Sequence, residues 1–383
     1  MFRGYSMTEI SRRTFVGAVG AAGAAAVAGA QLATAAPRPR AATTVYVGSY
    51  TNSSPAGHGL DVTQRAAGSP ALTPVRTVGK LTDVSWFDRT RDGRILYVTN
   101  ENEGAETGTV SALDISDPTR PKLLGSTSSK GGSPTHLSVH PSQKYVLAAN
   151  YDSGSVVVLP IKSGGKLGAA TDLQQHQGKE PHAHQVVTDP SGKWVLAVDL
   201  GTDSVYVYSF DTGKGKLKLH KQITLPAGAG PRHLAFHPNG TFAYVAQELR
   251  PEITVASWDS ATGTFKPIAV VPAVPPGSTG ELFPGEITVS RDGKFVYATV
   301  RGPNTIATFT VADGGAGLTL VSSAASGGNW PRHLALDPDE KWFYVSNQRS
   351  GTVTWLPRDP ATGLPGKSAG SLAVPNVNSV FFV

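Results

Sequence analysis

Six times along the chain an apolar run leads through a polar turn containing Pro, Asp or Gly into a second apolar run that carries an aromatic. The copies read SWFDRTRDGRILYVTN, HLSVHPSQKYVLAAN, QVVTDPSGKWVLAVD, HLAFHPNGTFAYVAQ, EITVSRDGKFVYATV and HLALDPDEKWFYVSN. With Gly93, Gln143, Gly192, Gly240, Gly293 and Glu340 as equivalent turn positions, the spacings are 50, 49, 48, 53 and 47 residues. A period near 50 built from short strands predicts an all-β fold, a β-propeller with one blade per repeat.

Alternation and turn residues divide each repeat into four strands. In the copy opening at Pro134 they predict strand A over residues 135–140, strand B over 144–150, strand C over 155–161 and a fourth strand near 167–173. Two fragments remain at the chain ends. TTVYVGSYT, GLDVTQR and ALTPVRTV read as strands B, C and D without an A, and PNVNSVFFV reads as an A without partners. Joined, they complete a seventh blade, so the expectation is a seven-bladed β-propeller closed by pairing the N- and C-terminal strands, which removes the open sheet edge.

The first 36 residues break this pattern. SRRTFVG precedes VGAAGAAAVAGAQLATAA, a run poor in large apolar residues that ends in Ala33-Thr34-Ala35. Paired arginines before a weakly apolar stretch predict a twin-arginine export signal over 1–36, cleaved at an A-x-A site, with 37–42 as a linker and 43–383 as the propeller. The mature chain is then expected to be secreted or periplasmic, off the membrane, and a monomer. Gly 43 and Pro 28 suit a turn-dense chain, and the absence of cysteine suits a protein exported already folded. Removing 1–36, which hold Arg3, Arg12, Arg13 and Glu9, takes the net charge from +6 to +4. That mild bias, with no Lys/Arg run interleaved with aromatics, argues against a nucleic-acid partner.

In a propeller the residues entering strand A and leaving strand B lie at the same end of each blade. Eight positions before the turn anchor are Ser85, Thr135, His184, Arg232, Gly285 and Arg332, and eight after it are Glu101, Tyr151, Leu200, Glu248, Arg301 and Gln348. One position nearer the anchor on strand A are Trp86, His136, Gln185, His233, Glu286 and His333. A ring of His, Arg and Glu where a packed core would place apolar residues reads as a binding site. The recurrence of His136, His233 and His333 fits a device bonding blade to blade. His184, Glu248 and Arg301 do not recur, so symmetry does not explain them. Two histidines at i and i+2, His182 and His184, admit a metal reading completed by His176, Glu180 or Glu286, but no third ligand stands at a motif distance and nearby arginines would repel a cation. The expectation is no metal and no cofactor.

At these residues the chain resembles the seven-bladed propeller lactonases, which include bacterial 6-phosphogluconolactonase and the fungal carboxy-muconate lactonising enzymes. GSPTHLSVHP, PHAHQVVTDPSG, AGPRHLAFHPNGTFAYVAQEL and PRHLALDP carry the resemblance from about Val45 to the C-terminus. It implies an active site of His184, Arg232, Glu248 and Arg301, around which His136, His182, Glu286, Arg332 and Tyr151 are expected to bind substrate. Gln247 stands where that family usually has Asn, and an export signal is foreign to a cytosolic sugar-phosphate enzyme. The implied activity is hydrolysis of a small-molecule lactone, sugar-derived or anionic, by general-base water attack. GxSxG and Cys are both absent, which argues against an acyl-enzyme. Lactone closure from an unsaturated acid, or a non-enzymatic binding propeller, are the alternatives.

Overall fold

The computed structural model describes residues 42–102 and 106–383. The export signal expected at 1–36, and all but the last residue of the linker, lie outside them. Among the described residues 28 strands form seven four-stranded antiparallel sheets. Six are consecutive in sequence. The seventh takes its innermost strand, Val377–Phe382, from the C-terminus and its other three, Thr43–Ser49, Leu60–Arg65 and Leu72–Val78, from the start of the fold. Val45 pairs with Phe382 and Val47 with Val380, so the ring closes by the expected strand exchange.

In the blade opening at Pro134 the first three strands fall within a residue of expectation, at Pro134–Val139, Tyr145–Asn150 and Ser155–Pro160. The fourth is displaced, to Asp172–Gln175. The chain after strand C first makes a tight turn at Ser163–Gly165, where Gly164 and Gly165 have φ of 71° and 82°. Strand pairing resumes only after that turn, apart from a single bridge between Ile161 and Leu167.

Apolar clusters fill the spaces between blades. Leu147, Val156 and Val158 of one blade, for example, pack on Val186, Val195 and Tyr206 of the next. The aromatic that recurs in strand B fastens these interfaces. Tyr46, Tyr97, Tyr244, Tyr297 and Tyr344 are fully buried. Their hydroxyls donate to carbonyls of Pro118, Gly165, Gly315, Gly363 and Pro70, at 2.6 to 3.0 Å, each in the outer turn of the following blade. The Tyr344–Pro70 bond runs from the last complete repeat to the closing blade, so side chains as well as strands join the two ends of the fold. A buried phenol needs such a partner, and each bond contributes on the order of 1 kcal/mol.

One irregularity repeats in every blade. Where strand A enters the channel, its register against strand B slips by one residue. The slipped spans contain Ser85, Thr135, His184, Arg232, Gly285, Arg332 and, in the closing blade, Asn378. A bulge places two residues opposite one and re-aims the side chain it carries. Neighbours such as Arg232 and His233, which strict alternation would send to opposite faces, therefore both reach polar partners at the channel.

Candidate active site

Strand A carries two tiers of polar side chains. The deeper tier packs around Trp86, whose ring centroid lies 4.3 Å from that of His136, 5.1 Å from His233 and 5.3 Å from His333. Glu286 binds this group, with Oε1 2.9 Å from His233 Nδ1 and Oε2 3.6 Å from His333 Nε2. The same tier links blades. Gln185 Oε1 accepts from the Leu234 amide at 2.6 Å, and His333 Nδ1 accepts from the Val380 amide at 3.4 Å. Blade bonding is thus seen at His233, whose partner Glu286 stands on the next blade, and at His333, while all three recurring histidines also fill the channel.

Above that tier lies a cavity of about 300 Å³. Four of the nine expected site residues line it: His184, Glu248, Arg332 and Tyr151. The other five stand behind them. Arg232 and Arg301 hold Glu248, with Arg232 Nε 3.1 Å from Oε2 and Arg301 Nη2 3.1 Å from Oε1. The Arg232 contact is an ion pair without hydrogen-bond alignment. Both guanidiniums also donate to main chain: Arg232 to Gly285 O, and Arg301 to Phe283 O and Pro284 O, at 2.9 to 3.2 Å. His182 stacks on Tyr151 at 4.4 Å and Tyr151 meets His184 edge-on at 5.7 Å. His136 and Glu286 belong to the deeper tier.

Both oxygens of Glu248 face arginines rather than His184. His184 instead has the rings of Tyr151 and His233 as neighbours, the latter at 5.0 Å. Residue 184 enters from one blade and Glu248 from the next, where Arg232 of its own blade and Arg301 of the blade after flank it. His176, weighed as a metal ligand, bonds Asp199 through Nδ1 at 2.6 Å with both side chains fully buried. Asp199 in turn accepts from the His182 amide, fixing the segment that supports Tyr151. Among the described residues no group of three or more His, Asp or Glu is arranged to hold a metal ion.

Burial and the nearby arginines set the protonation states. Burial, then Arg232 and His233, press His184 well below the ordinary histidine value; His136 and His233 are lowered in the same way, and His333 falls to about 4. All four are neutral at pH 7. Burial alone would raise Glu248, but the combined pull of Arg301, Arg232 and Arg332 outweighs it and keeps the carboxylate ionised. Arg232, desolvated and facing Arg301, drops to about 10 and stays charged. Burial raises Glu286.

Several lining residues lie outside the expected set, among them Tyr50, Ser133 and Asp152. Tyr50 follows strand B of the closing blade, as Tyr151 follows strand B of its own. The repeat offset would have reached it, but that blade has no continuous A–B hairpin and hence no turn anchor. Glu101 and Gln348, which the offset did reach, also line the cavity.

Comparison with known proteins agrees with this architecture. Residues 44–382 match the model of the family described as lactonase, 7-bladed beta-propeller, and the chain belongs to that family. Among its relatives, a 6-phosphogluconolactonase of Bacillus subtilis is 34% identical over 342 residues, covering 86% of this chain and 95% of its own. A periplasmic gluconolactonase of Pseudomonas aeruginosa superposes with a TM-score of 0.84 at 28% identity, covering 90% of this chain and 99% of its own. A putative 6-phosphogluconolactonase of Bacteroides fragilis gives 0.82 at 27% identity, with 91% and 99% covered.

Proposed function

We propose that the protein hydrolyses lactones by direct attack of water. The observation that carries this reading is the neutral His184 lining the same cavity as the permanently charged Arg332, in a chain of the lactonase family. His184 takes a proton from water as the oxygen adds to the lactone carbonyl. Arg332 faces the oxyanion that forms. The ring C–O bond then breaks, the imidazolium returns its proton to the departing alkoxide, and the product is an open-chain hydroxy acid. Glu248, ionised and clasped by two arginines, is a poor proton acceptor. Its part is to fix Arg232 and Arg301 and to set the field over the cavity. Tyr151, backed by His182, forms one wall.

No step in this scheme uses a cofactor. Titration of acid release from purified protein, supplied with unphosphorylated sugar lactones, phosphorylated ones and aromatic-derived lactones, tests the reading. Ring opening that persists in chelator is the expected result, and inertness toward every lactone overturns it. We also propose that the protein works outside the cytoplasm, because residues 1–36 have the pattern of an export signal and a structural relative is described as periplasmic.

A further inference from the structure

The charges around the cavity bear on which lactones fit, an inference that rests on the lactonase reading above. Three carboxylates line the cavity, Glu101, Asp152 and Glu248, against one guanidinium, Arg332. Arg232 and Arg301 stand behind Glu248 and are engaged by it and by main-chain carbonyls. Arg332 is itself countered: its guanidinium lies 5.6 Å from the Tyr50 ring centroid, and the Tyr50 hydroxyl donates to Glu101 Oε1 at 2.8 Å. Even with the rear pair included, three arginines meet three carboxylates, and the histidines add no charge at neutral pH.

The arginines farther out do not alter this balance. Arg250 donates to Ala227 O, while Arg349 stacks on Trp330 at 3.3 Å and pairs with Glu281, and neither lines the cavity. A phosphate monoester brings a charge of about −1.5 to −2 at pH 7 and needs donors in excess to hold it. An uncharged polyol has the opposite requirement, since its hydroxyls donate well to carboxylates. Asp152 supplies such an acceptor, being solvent-exposed while accepting from Ser133 Oγ at 2.5 Å. The volume, near the lower end of the roughly 300–1,000 Å³ range for ligand sites, suits one monosaccharide-sized ring.

We propose that the site takes an unphosphorylated polyhydroxy lactone and discriminates against its phosphorylated counterpart, with Asp152 as a specificity-determining residue on the cavity wall. The test compares glucono-1,5-lactone with 6-phosphoglucono-1,5-lactone by kcat/KM, on the wild type and on Asp152→Lys. A preference of about tenfold or more for the neutral lactone is expected, narrowed by about tenfold in the variant. Equal or better use of the phosphorylated lactone by the wild type overturns the proposal. Calorimetry with gluconate and 6-phosphogluconate provides a second measurement that needs no turnover. Tighter gluconate binding sustains the proposal even if no lactone is hydrolysed, an outcome that would remove only the lactonase reading. Tighter 6-phosphogluconate binding, or no binding of either, overturns it.

Discussion

Oε1 of Glu248 lies 3.1 Å from Nη2 of Arg301, a residue that ends strand B of the following blade. The pair thus ties two blades together at the cavity wall, with Arg232 on the other carboxylate oxygen. Replacing Glu248 with Gln keeps the shape and removes the charge, leaving two desolvated guanidiniums without their shared anion. The expected loss of stability is on the order of 2–3 kcal/mol. That is less than the roughly 3–5 of fully buried pairs, because a fifth of the Glu248 side chain remains accessible. Urea unfolding of Glu248→Gln measures it, and a loss below about 0.5 kcal/mol would mean that the carbonyls of residues 283–285 suffice.

His184→Ala should lower kcat by about 10² to 10⁴ with the fold intact. Arg332→Lys keeps the charge but loses the planar fork, and is expected to reduce kcat more than it raises KM if the guanidinium meets the oxyanion. The acid limb of kcat/KM should fall below pH 6.5, since burial lowers the His184 pKa. An unchanged kcat in His184→Ala would move the base elsewhere in the cavity.

The blade count, the closure and the ring of polar residues were readable because the repeat gives equivalent positions a common offset from one turn. Tyr50 escaped because it belongs to the blade split between the chain ends, where the offset has no anchor. Ser133 and Asp152 escaped because they stand ten before and nine after the anchor Gln143, outside the offsets of seven and eight that single out the ring. The bulges were hidden for a different reason. Alternation assumes perfect register, so it could not show that Arg232 and His233 both turn to the channel. Nor could it tell that Glu248 would meet arginines in place of His184, since that depends on which blade faces which.

The six turn anchors share a left-handed backbone, with φ of 70° to 75° at the four glycines, 61° at Gln143 and 54° at Glu340. The two that are not glycine repay the strain across the blade boundary. Gln143 Oε1 accepts from the Arg91 amide at 2.7 Å, and Glu340 Oε1 from the Arg291 amide at 2.8 Å. Gln143→Ala keeps the strain and loses the bond, whereas Gln143→Gly loses the bond and relieves the strain. Thermal or urea denaturation should therefore find the glycine variant more stable than the alanine one by about 1 kcal/mol. The reverse order would deny that the turn is strained.

Arg12 and Arg13 precede the apolar run of the N-terminal segment. If they direct export by the twin-arginine route, changing both to Lys should retain the protein in the cytoplasm, as read by fractionation of the producing cells. Undiminished export of that double variant would remove the twin-arginine proposal and leave the rest of the molecule's description untouched.

The histidine tier makes stability depend on pH with a definite sign. His136, His184, His233 and His333 all have folded pKa values below the ordinary 6.5, about 4 for His333. The unfolded chain therefore binds protons that the folded one refuses, and stability that is full above pH 6.5 is lost as pH falls toward the folded values. Glu286 acts in the opposite direction, because its folded pKa is raised and protonation at lower pH favours the fold. Glu248, with a lowered pKa, adds stability above its unfolded value near 4.5 and loses it only below that. Asp88, which burial pushes up to about 6, acts with Glu286, but between pH 6.5 and 5 the four histidines outnumber the two carboxyls, so the urea midpoint should drop across that window. Replacing His333 with Gln, which cannot take up a proton, should flatten the decline, and a midpoint that stays constant from pH 7 to 5 in the wild type would mean that these histidines are not held neutral in the channel.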